Sequence, residues 1–224
     1  MSGPAPALAA IGGLPDWLRP LAQAAARVRP EEISRFLPPA TGGRPGAVLI
    51  LLGEGEAGPD LLLIERAPDM RSHAGQPAFP GGAVDPEDDG PVAAALREAH
   101  EETGVDPSGV EVFAALPQLW LPPSGFVVTP VLSWWREPSP VWARDPAEVA
   151  AVHRVPLEEL LEPAHRFQVR HPSGYVGPAF GVRGMVVWGF TAGLLDRMLW
   201  LAGWERPWDR DRTEDLPPDV AGRL

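Results

Sequence analysis

The sequence predicts a mixed α/β sandwich, and three observations point to that fold class. Short β-branched and aromatic runs recur between proline and glycine turns, as strands do. One strongly patterned helix lies among them, entered through Phe79-Pro80-Gly81-Gly82 and stopped at Gly104. A second helix follows near the end, over residues 191–200, with Leu194, Leu195, Met198 and Leu199 apolar. Strands around a central helix, with another helix closing the chain, pack as such a sandwich.

The 224 residues suffice for one domain with a self-sustaining core. The absence of cysteine excludes disulfides, thiol nucleophiles and cysteine-based zinc sites. Lysine is also missing, so all 19 basic residues are arginines, which suit bidentate phosphate contacts. A net charge of −11 argues against a nucleic-acid binder, which would present a basic face. The first residues lack a basic signal-peptide region, and the most apolar stretch, 185–201, is short and broken by Gly189, Gly193, Asp196 and Arg197. The expectation is a cytoplasmic protein with no membrane segment.

Taken in order, residues 1–40 read as an N-terminal helical extension, with a helix from Asp16 to Arg27. Residues 41–204 carry the main domain. Apolar runs at 47–52 and 61–66 are its first strands, joined by a turn. The loop 67–78 holds Arg71, His73 and Gly75. After the helix come strands at 110–115, 126–135, 151–155, 166–170 and 185–188, with a short helix after Pro156. The charged, proline-rich residues 205–224 read as a disordered tail.

Chemistry concentrates in the central helix. Glu98, Glu101 and Glu102 stand at i, i+3 and i+4 and share one face, while Val92, Leu96, Ala99 and Thr103 form the apolar face. Like charges at these spacings repel by a few tenths of a kcal/mol per pair. Glu101 and Glu102 also fall in the last turn, at the negative end of the helix dipole. Arg97 alone cannot balance three acids, whereas a divalent cation held by oxygen ligands can. The bland alternative is a solvated acidic face. Against it stands the Phe-Pro-Gly-Gly turn, whose exposed backbone can approach a metal or a phosphate.

These residues resemble the Nudix hydrolase box, Gly-x5-Glu-x7-Arg-Glu-U-x-Glu-Glu-x-Gly-U, where U is apolar. Arg97, Glu98, Ala99, Glu101, Glu102, Gly104 and Val105 match its second half. In the first half Asp88 stands where the box has glutamate, and eight residues rather than seven separate it from Arg97. That variation, with Leu62, Leu63, Arg66, Ala67, Arg71, Gly75 and Phe79–Gly82 upstream, resembles the coenzyme A pyrophosphatase branch of the family. Ile64 replaces the threonine of the branch signature.

The resemblance implies a Nudix-type α/β/α sandwich with a mixed sheet and a catalytic loop–helix–loop. It implies a diphosphatase that hydrolyses coenzyme A or acyl-coenzyme A to adenosine 3′,5′-bisphosphate and (acyl-)4′-phosphopantetheine, using Mg²⁺ or Mn²⁺. Glu98, Glu101, Glu102 and the Gly82 carbonyl are the implied metal ligands. Arg97 would orient a glutamate by a bidentate pair. The general base is Glu101 or Glu102, with Glu148 as the candidate outside the box. Arg66 and Arg71 would meet phosphates, the 3′-phosphate among them, with His73 assisting. His100 occupies a position that the box leaves free. The tryptophans read as core. A diphosphatase for ADP-ribose or dinucleotides, or a non-catalytic nucleotide-binding module, is the alternative, and pairing into a homodimer is a further expectation.

Overall fold

The computed structural model describes residues 9–68, 74–122, 124–217 and 220. Two short helices, α1 (Arg19–Ala25) and α2 (Pro30–Ile33), precede a strand hairpin, β1 (Arg44–Gly55) and β2 (Gly58–Arg66). Two short strands, β3 (Pro77–Ala78) and β4 (Gly81–Ala83), lead into α3 (Gly90–Thr103). Then follow β5 (Val110–Ala115), β6 (Leu119–Leu121), β7 (Phe126–Trp135) and β8 (Val149–Pro156). The last part holds α4 (Leu157–Leu161), β9 (Arg166–Arg170), β10 (Val176–Val182), β11 (Met185–Val187), α5 (Gly189–Leu201) and β12 (Thr213–Asp215).

The main sheet runs β3-β2-β1-β7-β5, with β4 also on β1, β6 on β7 and β8 on β2. It is mixed, because β1 and β7 run parallel while the other pairs are antiparallel. β1 reads as an unbroken apolar run because both of its faces are covered. Ala47, Leu49 and Leu51 pack beneath α3, and Ile50 and Leu52 join the larger core formed with α1, α4 and α5. This is the expected α/β/α sandwich with a mixed sheet.

Four features depart from the sequence reading. A second sheet, β11-β10-β9-β12, lies beyond the first. The N-terminal extension is part of the core: Leu14, Leu18, Leu21, Ala22 and Ile33 share a cluster with Leu194, Leu195 and Met198 of α5. Its helix begins only at Arg19, without a side-chain cap, and Asp16 instead pairs with Arg19 at 2.6 Å. Residues 205–217, expected to be disordered, run along the second sheet, where β12 pairs in parallel with β9 and Leu216 is buried. Composition counts charges but not their partners: Arg166, 1% exposed, is held by Asp196 and Glu205, and Arg210 reaches Glu205 at 2.8 Å. Among the described residues, no helix is long and apolar enough to cross a membrane.

The fourth departure concerns α3. Its buried face is made by Ala94, Ala95, Ala99, Thr103 and Glu102, while Val92 and Leu96 sit only at the margin. The helix is thus rolled toward its acids, and the expected apolar face of Val92, Leu96, Ala99 and Thr103 is corrected to one that includes Glu102.

Leu18 is fully buried between α5 and the sheet core. Leu18→Ala is expected to cost about 2–5 kcal/mol of stability, read from urea denaturation. A separable extension would lose almost none.

Candidate active site

The Gly-Gly turn explains why α3 rolls. β4 lies beside β1, with Gly82 opposite Ala47 and Gly81 opposite Val48. A Cβ on Gly81 would stand 2.3 Å from the Ala47 carbonyl oxygen, and one on Gly82 would stand 2.5 Å from Glu98 Oε1. Neither position can carry a side chain without moving backbone or carboxylate. In the space thus left, the Glu98 carboxylate lies against Gly82, and the Gly81 N–H donates to Glu102 Oε2 at 2.9 Å.

The helix end is also closed. Gly104, at φ +74°, takes the left-handed conformation expected of a stop and donates to the His100 carbonyl at 2.9 Å. The N–H groups of Trp142 and Arg144 donate to the carbonyls of Thr103 and Glu102 at 3.1 and 3.0 Å. Arg144 Nη1 also donates to the His100 carbonyl at 3.2 Å and meets His100 Nε2 at 2.6 Å. A cation therefore sits at the negative helix end, supplied by a loop that the helix sequence could not reveal. His100, left free by the box, helps to hold it.

Arg97 is the hub of the acid cluster. Its bidentate fork goes to Asp88, with Nε to Oδ1 and Nη2 to Oδ2 both at 3.0 Å. Nη1 then donates to Glu98 Oε1 and to Glu101 Oε2, each at 3.0 Å, and Nη2 reaches the Ala83 carbonyl at 3.1 Å. The expected bidentate pair with a glutamate is thus a pair with Asp88, and the two glutamates share the remaining nitrogen. This gives the aspartate of the variant box a defined place. Arg97, by hydrogen bonding, holds the Asp88 carboxyl below the ordinary aspartate range.

The glutamates differ sharply. Glu101 is exposed, Glu98 is half-buried and Glu102 is only 3% exposed. Burial pushes the Glu102 carboxyl up to about 8, with Glu98 and Glu148 adding to the rise and the Gly81 N–H and Arg66 opposing it. Burial likewise raises Glu98, against the pull of Arg97, and Glu101 and Glu148 add to it. Glu148, which precedes β8 in a turn begun by Asp145, therefore acts on both carboxyls, 46 or more residues away in sequence. Arg66, at the end of β2 opposite Val149, bears on Glu102, and its buried Nε has no hydrogen-bond partner among the described residues. Arg71 and His73 lie outside the described residues.

Hard oxygen donors, two of them on carboxyls whose charge burial and mutual repulsion disfavour, fit a divalent cation of the Mg²⁺ or Mn²⁺ kind. Glu98, Glu101, Glu102 and the Gly82 carbonyl could hold it. Among the described residues no three His, Asp or Glu side chains form a ready-made metal shell, for Glu98 and Glu101 lean on Arg97 and Glu102 on Gly81. The tryptophans divide: Trp135 and Trp188 are buried, whereas Trp142 and Trp200 are exposed.

An acid-lined loop and helix laid over a mixed sheet suits a divalent cation and the polyanion it would neutralise. The NUDIX domain model matches residues 43–173, and the chain belongs to the Nudix hydrolase family. NudL of Enterobacter sp. (strain 638), described as an uncharacterized Nudix hydrolase, is 43% identical over 159 residues, covering 68% of this chain and 79% of that one. NudL of Cronobacter sakazakii, described in the same words, is 41% identical over 152 residues, covering 66% and 78%. Among solved structures, the Nudix hydrolase RenU of M. smegmatis superposes with a TM-score of 0.52 at 20% identity, over 76% of this chain and 92% of that one. It shares the fold.

The folded Glu102 carboxyl keeps its proton to about pH 8, whereas the unfolded one releases it near 4.5. Between those values the native state binds more protons, so stability falls as pH rises. Denaturation of metal-free protein at pH 5 and pH 8 is expected to show this loss, and Glu102→Gln is expected to remove most of it. An equal slope in both proteins would reject the assignment.

Proposed function

We propose that the protein is a metal-dependent diphosphatase acting on coenzyme A or acyl-coenzyme A. The observation that carries the reading is the pair of carboxyls, Glu98 and Glu102, pressed against the side-chain-free backbone of Gly81 and Gly82. The coenzyme A assignment rests on the resemblance of the stretch from Leu62 to Gly82 to that branch. It gains support from Arg66, which belongs to that stretch and whose charge bears on Glu102.

The chemistry needs negative charge offset on the non-bridging oxygens and a water aligned with the leaving phosphate. A bound divalent cation would offset that charge and lower the pKa of a water. Glu98, Glu101 and Glu102 would hold it, with the Gly82 carbonyl. Arg97 positions Glu98 and Glu101 through one nitrogen while Asp88 locks its fork. Arg66, whose buried Nε has no partner among the described residues, offers a donor to a diphosphate oxygen. Glu148 is the preferred general base, since Glu101 is engaged by Arg97 and Glu102 by Gly81. Its carboxylate stands exposed in a turn, and its charge bears on the other two acids.

Incubation with coenzyme A, acyl-coenzyme A, ADP-ribose and NADH, with Mg²⁺ or Mn²⁺, is expected to yield 4′-phosphopantetheine or its acyl form. Cleavage of ADP-ribose or NADH alone would replace this reading by the nucleotide-sugar one. Glu98→Gln is expected to lower kcat by about a hundredfold or more. Glu148→Gln is expected to lower it by about a hundredfold with little change in metal affinity. A Glu148→Gln enzyme at full rate returns the base to Glu101 or Glu102.

A further inference from the structure

Beside the acid cluster the strand edge carries a second recognition element. Arg44 opens β1 and pairs in register with Phe126, which opens β7. The Arg44 guanidinium stacks over the Phe126 ring at 4.3 Å, and its Nη2 donates to the Ser124 carbonyl at 3.0 Å. Arg44 is exposed, and Phe126 is half-buried. The place is next to the Gly-Gly turn. A Cβ on Gly46 would lie 2.9 Å from Phe126 Cδ1 and 3.0 Å from the Gly82 carbonyl oxygen, so ring and carbonyl flank one point. Arg44 is two residues from Gly46, about 7 Å along the strand.

Among the described residues Arg44 is one of several arginines left without an ion pair, and it is set beside the Gly-Gly turn. The chain has 30 acidic residues against 19 arginines. Near the site, Arg97 is surrounded by Asp85, Asp88, Glu98 and Glu101. The charge of Arg66 bears on Glu102. Among the described residues, no carboxylate lies within ion-pair distance of Arg44. A planar cation fixed by an aromatic face and one carbonyl, with its charge uncompensated, is preorganised for an anion.

We propose that Arg44, held by Phe126, is the subsite for a second phosphate on the nucleotide half of the substrate, one ribose away from the diphosphate. This rests on the coenzyme A reading, in which that group is the 3′-phosphate. It moves that role from Arg66, which lies within the acid cluster, to an arginine outside both motifs.

The test is a pair of titrations by calorimetry, with adenosine 3′,5′-bisphosphate and with adenosine 5′-monophosphate. The wild-type protein is expected to favour the bisphosphate by about tenfold or more, as a charge-assisted contact gives. Arg44→Gln, at an exposed side chain, is expected to abolish that preference and leave affinity for the monophosphate unchanged. In steady-state assays the same variant is expected to raise KM for coenzyme A about tenfold and leave that for 3′-dephospho-coenzyme A unchanged. Phe126→Leu, which removes the stacking face, is expected to lose part of the preference. A bisphosphate preference that survives Arg44→Gln, or its absence in the wild type, would overturn the subsite. Failure to hydrolyse coenzyme A alongside an Arg44-dependent bisphosphate preference would overturn the substrate reading and leave the subsite standing.

Discussion

Two residues without side chains set the distance between a helix and a strand, and the site depends on that distance. Gly81 and Gly82 let α3 settle until Glu98 touches backbone and Glu102 accepts the Gly81 N–H. The approach removes Glu102 from water and raises its pKa, so that its charged form needs a cation to compensate it. Arg97 compensates on the outer side of the helix, and the inner side is left to Arg66 and whatever cation the acids take. Pro80 completes the arrangement, its carbonyl accepting from the Leu49 N–H at 2.8 Å and so fastening the turn to β1.

The cost of crowding acids at a helix terminus is met from three directions. Asp88 and Arg97 form a closed fork, so the arginine cannot swing away from Glu98 and Glu101. Arg144 comes from the loop between β7 and β8 and stands on the last carbonyls. That same loop also carries Glu148, whose charge bears on Glu98 and Glu102. One connection thus both steadies the helix end and furnishes the carboxylate proposed as base.

Much of this was legible before folding. The strands 110–115, 126–135 and 166–170 have the bounds that β-branched and aromatic runs implied, and Gly104 ends the helix as its position requires. The box acids do gather on one side of α3. What could not be read was depth, because periodicity assigns a residue to a face but says nothing about how closely the next strand approaches. Glu102 is buried for that reason. Asp88 looked like an imperfect match until its partner was seen. β10 escaped notice because Gly177, Pro178 and Gly181 break an alternating pattern. The tail was misjudged because its charges find partners far away in sequence, Glu205 at Arg166 and Arg206 at Glu158.

The N-terminal leucines and α5 have a bearing on where this protein may be cut. The stretch matched by the NUDIX domain model ends at residue 173, yet Leu14, Leu18 and Leu21 meet Leu194, Leu195 and Met198 in the largest core. The edge of the domain match is therefore not a folding boundary. A fragment trimmed to the recognisable motif would carry an open greasy wall where two flanking pieces of chain belong, and it would be the wrong object for an expression trial.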